Sequence, residues 1–194
     1  MVNFEQCENM TDEELVKETL ADKEYFLCLM KRYEKKLLNY IMRITNVSFE
    51  EAEDILQETF IKVYLNLNEF NTDLKFSSWV YRITHNQVIS NHRKNLARPS
   101  LLILDDDNNF LNNIASDLNL SDKVDSSMLK DRIKEILSKM DKKYSEVLVL
   151  KFLEEKDYKE ISDILAKPMG TVATLINRAK KQFKEELEKN NFKI

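Results

Sequence analysis

Gly170 is the only glycine in this chain of 194 residues, and it stands two positions after Pro168, one of just two prolines. Tight reversals between strands need residues that accept positive φ, and glycine is the usual supplier. A chain this poor in breakers has almost no material for hairpin turns. Glu, Lys, Leu and Asn abound instead, and strand-like alternation is hard to find. The expectation is an all-α protein, long enough for one domain or two small ones.

Several function classes fall away early. The net charge is only −4 although 33% of residues are charged, so bulk charge names no partner. Cys7 and Cys28 are spaced C-x20-C, and His85 and His92 are spaced H-x6-H. Neither spacing fits a zinc module, so no metal or cofactor is expected, and both thiols are expected to be reduced. The opening MVNFEQCENMTDEELVKE is acidic and has no apolar signal region. No run approaches the 18 apolar residues of a membrane span. A soluble, cytoplasmic protein without membrane insertion is expected. With no carboxylate pair, nucleophile–base set or phosphate loop in view, it is not expected to be an enzyme.

Local charge is more telling than net charge. Between Trp79 and Arg98 the basic residues Arg82, Arg93, Lys94 and Arg98 meet no acid. Lys167, Arg178, Lys180, Lys181 and Lys184 likewise meet none between Ile164 and Lys184. The intervening Ser100–Ser127 holds six Asp and one Lys, after Pro99 and with little helical periodicity. This basic–acidic–basic pattern divides the chain into a helical domain at 1–96, an acidic linker at 97–126 and a second helical domain at 127–194.

In the first domain, Phe26, Leu29, Met30, Tyr33, Leu37, Ile41 and Ile44 follow helical spacing. A second helix is predicted from about Phe49 to Leu67. A third is predicted from Phe76 to about Asn95, with Ser77 or Ser78 as N-cap. Helices are expected near 126–139, 143–154, 158–165 and 170–188 in the second domain.

On the second helix, Ala52, Ile55, Leu56, Thr59, Phe60, Val63, Tyr64 and Leu67 form a core stripe. The opposite side carries Asp54, Gln57, Glu58, Ile61 and Leu65. Aliphatics among acids suit either a second contact inside the domain or a docking face for a basic, partly apolar partner. Ahead of the third helix lies a loop with Phe70, Asn71, Lys75, Phe76 and Ser77; the helix then carries Trp79, Arg82, His85, Asn86, Arg93 and Lys94. Such aromatics are either core residues or, interleaved with cations and amides, a platform for unpaired bases.

The residues around Gly170 have helix, short turn, helix proportions. Tyr158, Ile161, Ile164 and Leu165 make one apolar face; Val172, Leu175, Ile176, Ala179, Phe183 and Leu187 make the next. Pro168 is expected to stop the first helix, Gly170 to allow the tight turn, and Thr171 to cap the second. Thr171, Ala173, Thr174, Asn177, Arg178, Lys180 and Lys181 then mark a surface suited to base edges and phosphates. Two packed helices with a solvated basic face are the plainer reading.

In this order the motifs resemble the extracytoplasmic-function (ECF) sigma factors, promoter-specificity subunits of bacterial RNA polymerase. AEDILQETFIKVY is similar to the region-two helix that binds core polymerase, with Asp54, Gln57 and Phe60 on its D-x-x-Q-x-x-F pattern. FSSWVYRITHNQVISNHRKN resembles the segment that melts and reads the minus-ten element, with Trp79, Ile83, Asn86, Arg93 and Lys94 on matching positions. YSEVLVLKFLEEKDYKEISDIL and GTV…NRAKKQF look like region four, which reads the minus-thirty-five element. The resemblance implies core polymerase, promoter DNA and an anti-sigma factor as partners. The six Asp against one Lys over Ser100–Ser127 lead to the expectation that the linker threads a basic channel of the polymerase as a nucleic-acid mimic.

Three departures stand out. Ala166 takes the usual place of a turn glycine, Ala173 and Leu175 replace frequent cations, and Ser90 replaces a frequent Asp. A stand-alone helix-turn-helix regulator is the rival, and a purely protein-binding helical adaptor a second. The first leaves the mixed face of the second helix without a purpose.

Overall fold

A computed structural model of the chain describes residues 4–45, 47–97, 133 and 135–189. The expected linker, apart from Ala97, lies outside these residues, as does most of the helix expected before position 135. The chain divides into two compact units.

Among the described residues the first unit holds five α-helices: α1 (Phe4–Glu8), α2 (Asp12–Ala21), α3 (Phe26–Ile44), α4 (Phe49–Leu65) and α5 (Phe76–Ala97). Local chemistry sets their starts. Thr11 and Glu14 close a capping box on α2: the Glu14 N–H donates to Thr11 Oγ1 at 3.2 Å, and the Thr11 N–H to Glu14 Oε2 at 2.7 Å. Those Thr11 bonds hold the Glu14 carboxyl below the ordinary carboxylate range. Ser48 caps α4 by accepting the Glu51 N–H at 3.2 Å.

Amphipathic spacing then decides what is buried. Phe26, Leu29, Tyr33, Leu37 and Ile41 of the predicted α3 stripe are buried, together with Tyr40. On α4 the buried set is Ala52, Ile55, Leu56, Thr59, Phe60 and Val63, while Tyr64 is exposed at the margin. Each fully buried aliphatic or aromatic side chain contributes about 1.5–3 kcal/mol. The buried Thr59 hydroxyl donates to the Ile55 carbonyl at 2.8 Å, so it enters the core satisfied. Helices α3, α4 and α5 pack on one another, and α2 lies against α3 and α5.

Two expectations for this unit are corrected. Cys7 and Cys28 are a disulfide, with Cα atoms 6.0 Å apart, not two reduced thiols. Their 21-residue separation gave no hint, because the turn after α1 brings that helix back onto α3. Arg32 fastens the same turn through the Cys7 and Met10 carbonyls at 2.6 and 2.9 Å and Asp12 at 2.7 Å. Nor is Ser77 or Ser78 an N-cap. Helix α5 already starts at Phe76, the Lys75 carbonyl accepts the Ser78 and Trp79 N–H groups, and the Phe76 N–H goes to a side chain of α2.

In the second unit, residues 135–139 are helical. They are followed by α6 (Lys142–Leu148), which runs into a π-helical turn over Val149–Leu153. Helices α7 (Tyr158–Leu165) and α8 (Met169–Lys189) follow in the chain, with α8 packed on α6. Val147, Leu150, Ile161, Ile164, Val172, Ile176 and Ala179 are buried.

The turn between α7 and α8 departs from expectation in three ways. Ala166 has φ +50, and the Lys167 N–H donates to the Ser162 carbonyl at 3.1 Å. That is a Schellman end with alanine in the left-handed position glycine usually fills. Thr171 is not the cap of α8, because the Pro168 carbonyl already accepts the Thr171 and Val172 N–H groups. Gly170 has no positive φ, and a Cβ there would meet no atom within 4 Å. The turn therefore rests on Ala166 and Pro168. Left-handed geometry costs an L-residue roughly 1–2 kcal/mol, part of which glycine's larger unfolded-state entropy offsets. Ala166→Gly should accordingly raise stability by about 1 kcal/mol in urea unfolding; an unchanged midpoint would contradict that account.

Candidate nucleic-acid interface

On the outward side of α4, Asp54, Gln57 and Glu58 are exposed. Ile61 and Leu65 are exposed among them, at 59% and 69%. Sequence left open whether this side packs inside the domain; Ile61 and Leu65 are open to solvent, while the Glu58 carboxylate reaches back to α5. Phe60 stands apart from that face. It is only 6% exposed, with its ring centroid 6.4 Å from that of Phe26, so it holds α4 from beneath.

A polar bridge ties this helix to α5. Gln87 is 1% exposed, accepts from Lys62 Nζ and donates to Glu58 Oε2. Asn91 Nδ2 donates to Glu51 Oε1 at 2.7 Å, and Lys94 lies 3.9 Å from Glu58. Sequence reading passed over Gln87 and Asn91. Their signal was present: positions 80, 84, 87, 88 and 91 share one helical stripe, and two of them are amides.

The segment before α5 is an aromatic cluster. Phe70 lies 5.5 Å from Phe76 and 5.3 Å from Trp79, Phe76 lies 5.7 Å from Trp79, and Tyr33 meets Phe76 edge-on at 5.6 Å. Phe76, 1% exposed, is a core residue, whereas Trp79 is half-buried at the edge of the cluster. Beside it, the Asp73 N–H donates to Asn71 Oδ1 at 2.9 Å, shaping an exposed turn. Asn71 and Lys75 are exposed and Ser77 half-buried. Along α5, Trp79, Arg82, Asn86 and Arg93 are spaced i, i+3, i+7 and i+14, so they share one stripe, and the last three are exposed. Lys94 is exposed beside that stripe. Aromatic edge, amides and cations together can stack a base and hold its phosphates.

On α8, Thr171, Thr174, Asn177, Arg178 and Lys181 are exposed on a single face at 100° per residue. Ala173 and Lys180 belong to its flank, where Lys180 Nζ sits 5.4 Å from the Phe152 ring centroid. The Thr174 hydroxyl donates to the Gly170 carbonyl at 2.9 Å, leaving its oxygen to accept. Lys181 is 3.9 Å from Glu185, an exposed pair worth little.

Among the described residues, no group of three or more His, Cys, Asp or Glu could hold a metal. No helix among them is long and apolar enough to cross a membrane.

A helix-turn-helix on one unit, and an aromatic–basic stripe beside an apolar–acidic face on the other, define a two-unit helical DNA-binding protein. Residues 29–98 match the family model "Sigma-70 region 2", and residues 130–183 match "Sigma-70, region 4". Similar over nearly its full length is the ECF RNA polymerase sigma factor SigW of Bacillus subtilis, 32% identical and covering 86% of this chain and 91% of its own. The ECF RNA polymerase sigma-E factor of Haemophilus influenzae is 27% identical, over 94% and 98%. Among solved structures, CnrH in complex with the cytosolic domain of CnrY has a TM-score of 0.68 at 19% identity, over 93% of this chain and 99% of that one. RpoE with the anti-sigma factor NepR from Bartonella quintana has a TM-score of 0.62 at 17% identity, over 84% and 96%. The last two show the fold. The chain belongs to the ECF RNA polymerase sigma factors, and core RNA polymerase and promoter DNA are its partners.

Proposed function

We propose that residues 1–96 dock on core polymerase and open the minus-ten element, that 97–126 connect the units, and that 127–194 read the minus-thirty-five element. The observation that carries this is the exposed Ile61 and Leu65 among Asp54, Gln57 and Glu58, on the same unit as the Trp79 stripe. A stand-alone regulator has no use for that face. Core polymerase meets Asp54, Gln57, Glu58 and Ile61, with Phe60 supporting them from within. Asn71, Lys75, Ser77, Trp79, Arg82, Asn86, Arg93 and Lys94 hold an unpaired non-template base and its phosphates, on a floor made by Phe76. Unstacking a base costs roughly a few kcal/mol, which stacking on Trp79 and phosphate contacts offset. On duplex DNA, Thr171, Thr174 and Asn177 reach base edges. Arg178 and Lys181 face phosphates, with Ala173 and Lys180 at the margin.

The protein acts in the cytoplasm without catalysis of its own, and an anti-sigma factor is its further partner. That reading draws on the relatives solved with NepR and CnrY.

Reconstitution with core polymerase tests the proposal. Asp54→Ala with Gln57→Ala should abolish core binding and leave the melting curve unchanged; retained binding would sink the docking assignment. Asn177→Ala should relax minus-thirty-five preference by about 1–3 kcal/mol at one base pair, read from a promoter library. An unchanged preference would remove Asn177 from base reading.

A further inference from the structure

We infer that Glu13, on a helix ahead of the stretch that matches the family model, is a positioning residue for the base-holding segment. This inference rests on the minus-ten assignment above and adds to it a part of the chain that the motifs do not reach. The family-model match begins at residue 29, whereas α2 covers Asp12–Ala21.

Two neighbouring acids of α2 reach toward the aromatic cluster by different routes. Glu13 Oε1 accepts the N–H of Phe76, the first residue of α5, at 3.3 Å across 63 residues of sequence. Asp12 Oδ2 accepts the Tyr33 hydroxyl, and the Tyr33 ring meets Phe76 edge-on at 5.6 Å. Burial, followed by the bond to Asp12, pushes the Tyr33 phenol far above its ordinary range, so it stays a donor at every physiological pH. Phe76 is thereby held at its backbone by Glu13 and at its ring by Tyr33. Its own ring in turn meets Phe70 and Trp79.

An N-terminal amide of a helix needs an acceptor, and a negative one suits the helix dipole. Here that acceptor comes from another helix, because neither Ser77 nor Ser78 precedes the first turn. Glu13 thus fixes where Phe76 and Trp79 lie.

Trp79 is the only tryptophan in the chain, so its emission reports the cluster directly. The experiment compares full-length wild type, Glu13→Ala and Glu13→Gln in three readouts: Trp79 emission of the free protein, affinity for core polymerase, and open-complex formation over a library randomised at the minus-ten element. Glu13→Ala should shift Trp79 emission and reduce discrimination among minus-ten bases by up to about tenfold, the scale of one lost hydrogen bond. Core affinity should stay within about twofold, since α4 is untouched. Glu13→Gln keeps an oxygen acceptor and should restore both emission and discrimination. Unaltered emission and discrimination in Glu13→Ala would overturn the inference, as would Glu13→Gln behaving like Glu13→Ala. Wild type that binds no core polymerase would instead defeat the docking proposal, while the Trp79 emission arm would still decide whether Glu13 sets the cluster.

Discussion

Reduction of the Cys7–Cys28 bridge should lower the stability of the first unit by about 3 kcal/mol, the chain-entropy value for a loop of this size. The bridge closes 21 residues of sequence and ties a five-residue helix, α1, to the centre of the bundle. A helix of that length does not persist by itself in water. Without the bridge, α1 depends on the carbonyl bonds that Arg32 makes to Cys7 and Met10. In a unit of roughly one hundred residues, 3 kcal/mol corresponds to a fall of roughly 12–24 °C in Tm. Reducing compartments open such bridges, so melts with and without reductant compare both forms, and Cys7→Ser with Cys28→Ser should match the reduced protein. Equal melting points in all three samples would show that the bridge adds nothing to stability.

Ile61→Asp combined with Leu65→Asp should weaken core-polymerase binding on the order of a thousandfold. Burying each aliphatic at an interface contributes about 1.5–3 kcal/mol, and every 1.4 kcal/mol is about tenfold in affinity. Aspartate removes that gain and adds a desolvation cost in a face that already carries Asp54 and Glu58. Both side chains point to solvent in the free protein. Unfolding free energy should therefore change by no more than about 1 kcal/mol. Titration of labelled core with each protein separates these quantities; an affinity within threefold of wild type would place the docking face elsewhere.

Periodicity carried much of the fold. Leu29, Tyr33, Leu37 and Ile41 are spaced so that only a helix can bury them together, and they are buried together. The helix-turn-helix was legible from the apolar pairs around Pro168. What sequence could not show were contacts that depend on where the chain returns in space. Cys7 meets Cys28 because α1 folds back, and Glu13 meets Phe76 because α2 lies against α5. Capping rules erred for a related reason: serine at a helix start is a strong signal, but a carboxylate from another helix had taken its task. Pattern placed Asp54, Gln57, Glu58, Ile61 and Leu65 on one side of α4 and the polar stripe on α8, but left open whether the α4 side packs inside the domain. Phe76 and Phe60 illustrate the limit, since an aromatic motif residue reads alike whether it touches a partner or supports the residue that does.

The open space around Gly170 has a practical consequence. Both cysteine sulfurs are joined to each other, and no free cysteine remains among the described residues. A thiol introduced as Gly170→Cys would meet no neighbouring atom at its Cβ. It would stand at the first turn of α8, as a unique attachment point for a dye or cross-linker. Position 170 is thus a vantage point from which the proposed approach of DNA to this helix can be tested under non-reducing conditions.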